Sequence, residues 1–124
     1  MRADKVEPAS AGAPPSIPVA NVRDVPPGQM KRFVTGNRAV VLANVDGRFF
    51  AFEDRCQHWG VRLSDGKLEG CVVRCRAHGW RHDIARGEVV ASEPPGDEGQ
   101  RIATFKVDIK DGVIFVGGRL QQRQ

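Results

Sequence analysis

From Ile17 onward the apolar residues come in short runs separated by turn residues, and no segment sustains a 3.6-residue period for three turns. That pattern predicts an all-β fold. Arg38–Val45 and Arg48–Glu53 flank Asp46-Gly47, a pair that readily takes the positive φ angles of a type I′ turn, so the two segments are expected to form a hairpin. In residues 101–110, Ile102, Phe105, Val107 and Ile109 are interleaved with polar neighbours, and Asp111-Gly112 then turns the chain into 113–116 as a second hairpin. Shorter strands are expected at 19–23, 30–34, 70–74, 80–84 and 88–90, with turns at Pro26-Pro27-Gly28 and Arg86-Gly87.

The pattern also sets the domain limits. Residues 1–16 are rich in Ala, Pro and Ser and carry too little apolar surface to offset the entropy of ordering them, so they are expected to be a flexible tail. Residues 17–118 form the predicted domain, and 119–124 a short C-terminal tail. A chain of 124 residues with 40% hydrophobic content can build one core without disulfides or oligomerisation, and a monomer is expected. No run approaches the roughly 20 apolar residues that cross a bilayer. The first eight residues mix charges and lack the apolar stretch of a secretory signal, which makes the cytoplasm the expected compartment.

Three cysteines, an odd number, in a reducing compartment point to metal ligation or buried thiols before disulfides. Cys56-Gln57-His58-Trp59-Gly60 and Cys75-Arg76-Ala77-His78-Gly79-Trp80 give a C-x-H pair followed by a C-x-x-H pair, with sixteen residues between them. Both fall in predicted loops, where each brings a thiolate and an imidazole to one centre from one side. Cys56, His58, Cys75 and His78 are therefore the candidate metal and cofactor ligands. Structural zinc modules usually pair their ligands as C-x2-4-C and H-x3-5-H, which disfavours a zinc reading.

This constellation resembles the Rieske iron-sulfur family, and in particular the ferredoxin components of bacterial ring-hydroxylating dioxygenase systems. The likeness covers nearly all of residues 17–116: Arg48-Phe49-Phe50-Ala51-Phe52-Glu53-Asp54, Leu63-Ser64-Asp65-Gly66-Lys67-Leu68-Glu69-Gly70, His78-Gly79-Trp80, Arg86-Gly87-Glu88 and Pro94-Pro95 all take part. It implies an antiparallel β-sandwich with a small cluster-binding subdomain of two loops, and Pro94-Pro95-Gly96 as a third loop beside the cluster. It also implies one [2Fe-2S] cluster with two thiolate and two imidazole ligands. Two ferric ions, two sulfides and two thiolates sum to zero charge, whereas four thiolates would leave minus two, so an electron is more easily added. Respiratory members carry an extra cysteine in each loop; Val61 and Ala77 stand at those positions here, so that disulfide is not expected. Gly79 after the histidine and the absence of any tyrosine remove hydroxyl donors, which implies a potential in the lower part of the Rieske range.

The resemblance further implies a one-electron carrier, loaded by a flavoprotein reductase and unloaded by a terminal oxygenase, rather than an enzyme. A catalytic mononuclear iron needs a 2-His-1-carboxylate site. The chain has three histidines, of which the cluster takes two, and 46 residues follow His78. The runner-up is a small subunit held in a reductase complex, like that of assimilatory nitrite reductase. Cys71 is expected to pack as a small buried thiol, Trp59 and Trp80 to shield the cluster, and His82 either to tune the cluster or to fill a core position. Net charge is +4, and between Asp54 and Arg86 seven basic residues stand against four acidic ones, a docking face for an acidic partner or an ordinary solvated surface. No helix reader or aromatic stacking ladder accompanies the charge, so nucleic acid is not an expected partner.

Overall fold

A computed structural model of the chain describes residues 16–35, 38–56, 61–76, 79–92 and 95–120. The tail predicted for 1–16 lies outside these residues except for Ser16, and 121–124 lie outside them as well. The described strands are β1 (Ile17–Asn21), β2 (Met30–Thr35), β3 (Arg38–Val45), β4 (Arg48–Glu53), β5 (Lys67–Glu69), β6 (Val72–Arg74), β7 (Arg81–Asp83), β8 (Glu88–Ala91), β9 (Thr104–Lys110) and β10 (Val113–Arg119). They form a six-stranded sheet in the order β1-β10-β9-β4-β3-β2 and a four-stranded sheet in the order β5-β6-β7-β8. Every described pairing is antiparallel, as the turn-punctuated sequence leads one to expect.

The two Asp-Gly hairpins form as predicted. Asp46 and Gly47 take φ of 51° and 91°, and Asp111 and Gly112 take 53° and 78°, the positive pair that lets the turn follow the right-handed twist of its strands. Several boundaries differ from expectation, and β10 runs on to Arg119 rather than ending at 116. β1 begins and ends two residues earlier than predicted, because the Asn21 amide donates to the Asp24 carboxylate (2.9 Å) and Val22–Asp24 winds into a 3-10 turn. Pro18 is tolerated there because β1 is an edge strand, where a missing N–H leaves no ladder partner unsatisfied. β9 starts at Thr104 rather than at 101, because the amides of Ile102 and Ala103 are drawn to the Gly87 carbonyl (3.0 Å) and the Glu53 carboxylate (2.8 Å). β5 was not expected at all: Lys67-Leu68-Glu69 has one apolar residue and lies at an edge, where period-2 patterning carries little signal.

β3 explains how the layers are held. Its five consecutive residues Val40–Asn44 are buried, with Val41 and Ala43 packing on one side and Val40 and Leu42 on the other. On the first side lie Phe52, Leu63, Val73, Ile84 and Val89, so this core joins the large sheet to the small one. On the second side lie Val25, Ala51, Phe105, Ile114 and Val116, which the large sheet and its own connections supply; the sheet must curl to bury that face. The connection after β8 ties the sheets together, with the Val89 amide donating to Gln100 O (2.7 Å) and the Glu53 amide to Ala103 O (2.9 Å).

Asp54, at the end of β4, is a second tie. Its carboxylate accepts from Arg32 Nη1 of β2 (2.7 Å) and from the amide (2.8 Å) and hydroxyl (2.6 Å) of Ser64. Burial raises its pKa, but the Ser64 donors and the Arg32 guanidinium outweigh burial and hold the carboxyl below the usual carboxylate range. Asp54→Ala leaves these donors without their acceptor and should cost about 1.5–3 kcal/mol, read as a lower urea midpoint at unchanged slope. Gly66 is a third constraint, because a Cβ there would overlap the backbone carbonyl of Arg74 on β6. Gly66→Ala should therefore loosen the small sheet, seen as faster amide exchange at β5 and β6 with the β3–β4 hairpin unaffected.

Candidate metal centre

Two loops leave the joint core and return to it in the same way. Cys56 follows Asp54, and its amide donates to the Val61 carbonyl (2.7 Å). Cys75 follows β6, and its amide donates to the Trp80 carbonyl (2.7 Å), while its carbonyl accepts from the Gly79 amide (3.0 Å). Each cysteine amide thus reaches the carbonyl five residues on and closes the base of its loop.

Both cysteine residues are buried, Cys56 to 0% and Cys75 to 1% exposure, and both belong to the core cluster that contains Leu63, Val73 and Trp80. None of the three cysteines is in a disulfide. His58 and His78, the other two candidate ligands, lie outside the described residues, as does Trp59; in sequence they fall between the residues that close the loops. Among the described residues no group of three or more His, Cys, Asp or Glu side chains is placed to hold a metal ion.

Trp80 is buried at 3% exposure, in the same core cluster as Cys75. Cys71 differs from expectation: it is half-buried in the turn before β6, where its carbonyl accepts from the Ile84 amide (2.9 Å), rather than packed in a strand. Of the predicted third loop, Pro94 lies outside the described residues, and Pro95 and Gly96 are exposed.

His82 is the residue whose place the sequence left open. It sits in β7, the second-to-last strand of the small sheet, opposite Val73 of β6 and Val89 of β8, and is fully buried. Its Nε2 lies 3.6 Å from Cys56 Sγ. Nδ1 is also buried and makes no hydrogen bond among the described residues. Burial pushes the ring's pKa below the ordinary histidine value, opposed by the nearby backbone of Val73 and Trp80.

Around this buried chemistry the surface is basic. Arg55, Arg62, Lys67, Arg74, Arg76, Arg81 and Arg86 are all exposed, whereas Asp54, counted among the opposing acids, is buried and paired with Arg32. Lys67, Arg74 and Arg76 line an open groove of about 360 Å³ that reaches Cys75.

The comparisons with known proteins agree with this architecture. Residues 16–106 match the family model described as the Rieske [2Fe-2S] domain. The biphenyl dioxygenase ferredoxin subunit of Pseudomonas sp. (strain KKS102) is 33% identical over 76% of this chain and 85% of its own length. Among solved structures, a ferredoxin of Sphingomonas yanoikuyae B1 superimposes with a TM-score of 0.74 at 28% identity, covering 84% of this chain and 99% of that one. A chain from the complex of reduced oxygenase and oxidized ferredoxin in carbazole 1,9a-dioxygenase gives 0.75 at 29% identity, covering 87% and 97%. The chain belongs to the Rieske [2Fe-2S] domain family.

Proposed function

We propose that this chain is the ferredoxin component of an oxygenase system, holding its [2Fe-2S] cluster through Cys56, His58, Cys75 and His78. The observation that carries the reading is the matched pair of loops: two buried cysteines, each at the base of a loop closed by the same five-residue backbone step, in one core cluster. The donor set fits the group. Two sulfurs outside any disulfide, sequestered among Leu63, Val73 and Trp80, suit binding as thiolates, since a buried thiolate without a metal or other partner is costly. His58 and His78 supply the two imidazoles of a Rieske ligand set. Bound there, such a cluster stores one electron at a time.

The chain's own residues do the rest. The closed loops fix the sulfurs, Trp80 and Leu63 keep water from them, and the exposed arginines and Lys67 present positive charge to a partner. Relatives named as ferredoxin components of dioxygenases favour a diffusing carrier over a subunit fixed in a reductase complex. The solved complex of an oxygenase with its ferredoxin supports a terminal oxygenase as electron acceptor. A flavoprotein reductase as donor, a monomeric state and a cytoplasmic location complete the proposal; among the described residues no helix is long and apolar enough to cross a membrane.

Two measurements test it. Cys56→Ser and Cys75→Ser should each abolish the visible and EPR spectra of the cluster, while Cys71→Ser leaves them intact; a cluster that survived in either of the first two, or failed in the third, would reverse the ligand assignment. Lys67→Glu with Arg76→Glu should leave the spectrum unchanged. The same pair should reduce about tenfold the ratio of oxidation rates by anionic ferricyanide and by a cationic cobalt complex, a difference that shrinks as salt is added.

A further inference from the structure

The small sheet places a neutral-sized, fully buried polar ring where its neighbours in register, Val73 and Val89, are apolar. The buried His82 ring meets Cys56 Sγ at 3.6 Å through Nε2, within hydrogen-bonding reach of a sulfur. The other nitrogen, Nδ1, is buried and makes no hydrogen bond among the described residues.

We propose that His82 donates an Nε2–H···Sγ hydrogen bond to the Cys56 thiolate and thereby raises the reduction potential of the cluster. The inference rests on Cys56 being a cluster ligand. A ligating thiolate carries no proton and can only accept, so a hydrogen bond at this contact needs the ring proton on Nε2. The opposite tautomer would set a ring lone pair against the sulfur, an unfavourable contact. Reduction adds one electron, part of whose charge falls on the ligand sulfurs. A donor held at Sγ therefore favours the reduced form more than the oxidised one, and hydrogen bonds to cluster sulfurs are among the determinants of such potentials.

His82→Phe keeps the ring and removes the donor; His82→Gln places an amide N–H near the position of Nε2. With cluster content confirmed by iron analysis and EPR, the Phe variant should accept an electron from a one-electron dye with an equilibrium constant about tenfold lower, which is about 59 mV for a one-electron couple. The Gln variant should recover most of that loss. Resonance Raman of the wild-type protein should show Fe–S stretches that shift on exchange into D2O, with a smaller shift in the Phe variant. Should the Phe variant not fold, His82→Met is read in its place.

Equal potentials in wild type and the Phe or Met variant would overturn the inference and leave His82 as core filling. Equal loss in the Phe and Gln variants would also overturn it, since packing rather than donation would then be at work. Loss of the cluster from every folded variant would make His82 a ligand, which contradicts it as well. These outcomes are separate from failure of the ligand assignment, which would appear as a cluster surviving Cys56→Ser.

Discussion

Two backbone hydrogen bonds, from the Cys56 amide to Val61 and from the Cys75 amide to Trp80, are the constraint on which the site depends. Without them the cysteines would stand on open loops, and side chains on open loops do not hold a metal centre to the fraction of an ångström it needs. The bonds work because the strands beneath them are fixed. Asp54 pins the end of β4 to β2 and to the 3-10 turn at Leu63–Asp65, and the close approach of Gly66 to Arg74 sets β5 against β6. The core shared by the two sheets then brings both sulfurs into one apolar cluster. Local closure, sheet register and core burial point to the same arrangement.

Much of this was legible in the sequence, for identifiable reasons. The β3–β4 and β9–β10 hairpins were readable because Asp-Gly has few conformations that connect two strands, and the two-residue turn fixes their register. The two cysteine-bearing segments were readable as loops from the C-x-H and C-x-x-H pairs they carry. β5 was not, because a three-residue edge strand with only Leu68 turned inward has no pattern to reveal it. Asp54 was not, because in sequence it reads as one more surface acid; its role comes from Arg32, 22 residues away, and from Ser64, ten residues away. Nothing local encodes such a meeting. The local signal that could have exposed it is weak: an acid placed two residues before Cys56.

His82 shows the same limit more sharply. Arg81-His82-Asp83 is polar at all three positions, so hydrophobic patterning marks no inward face. Only the pairing of His82 with Val73 and Val89 places its ring in the core, and only the return of the Cys56 loop brings Sγ to Nε2. A residue that sequence reading leaves suspended between core filling and tuning becomes, in three dimensions, a neighbour of the sulfur.

The division between buried and exposed chemistry also explains how so small a chain can serve as a carrier. The apolar surroundings of Cys56 and Cys75 lower the local dielectric, which strengthens any hydrogen bond made to a sulfur and makes each donor there count for more. The exposed arginines act in high dielectric, where single pairs are worth little and only their summed field reaches beyond the surface. Tuning therefore belongs inside and recognition outside, and the two can vary independently. On the proposed reading, changing a surface charge acts on the approach of a partner, while changing His82 acts on the potential. A carrier gains from that separation, because its surface can change without moving its potential.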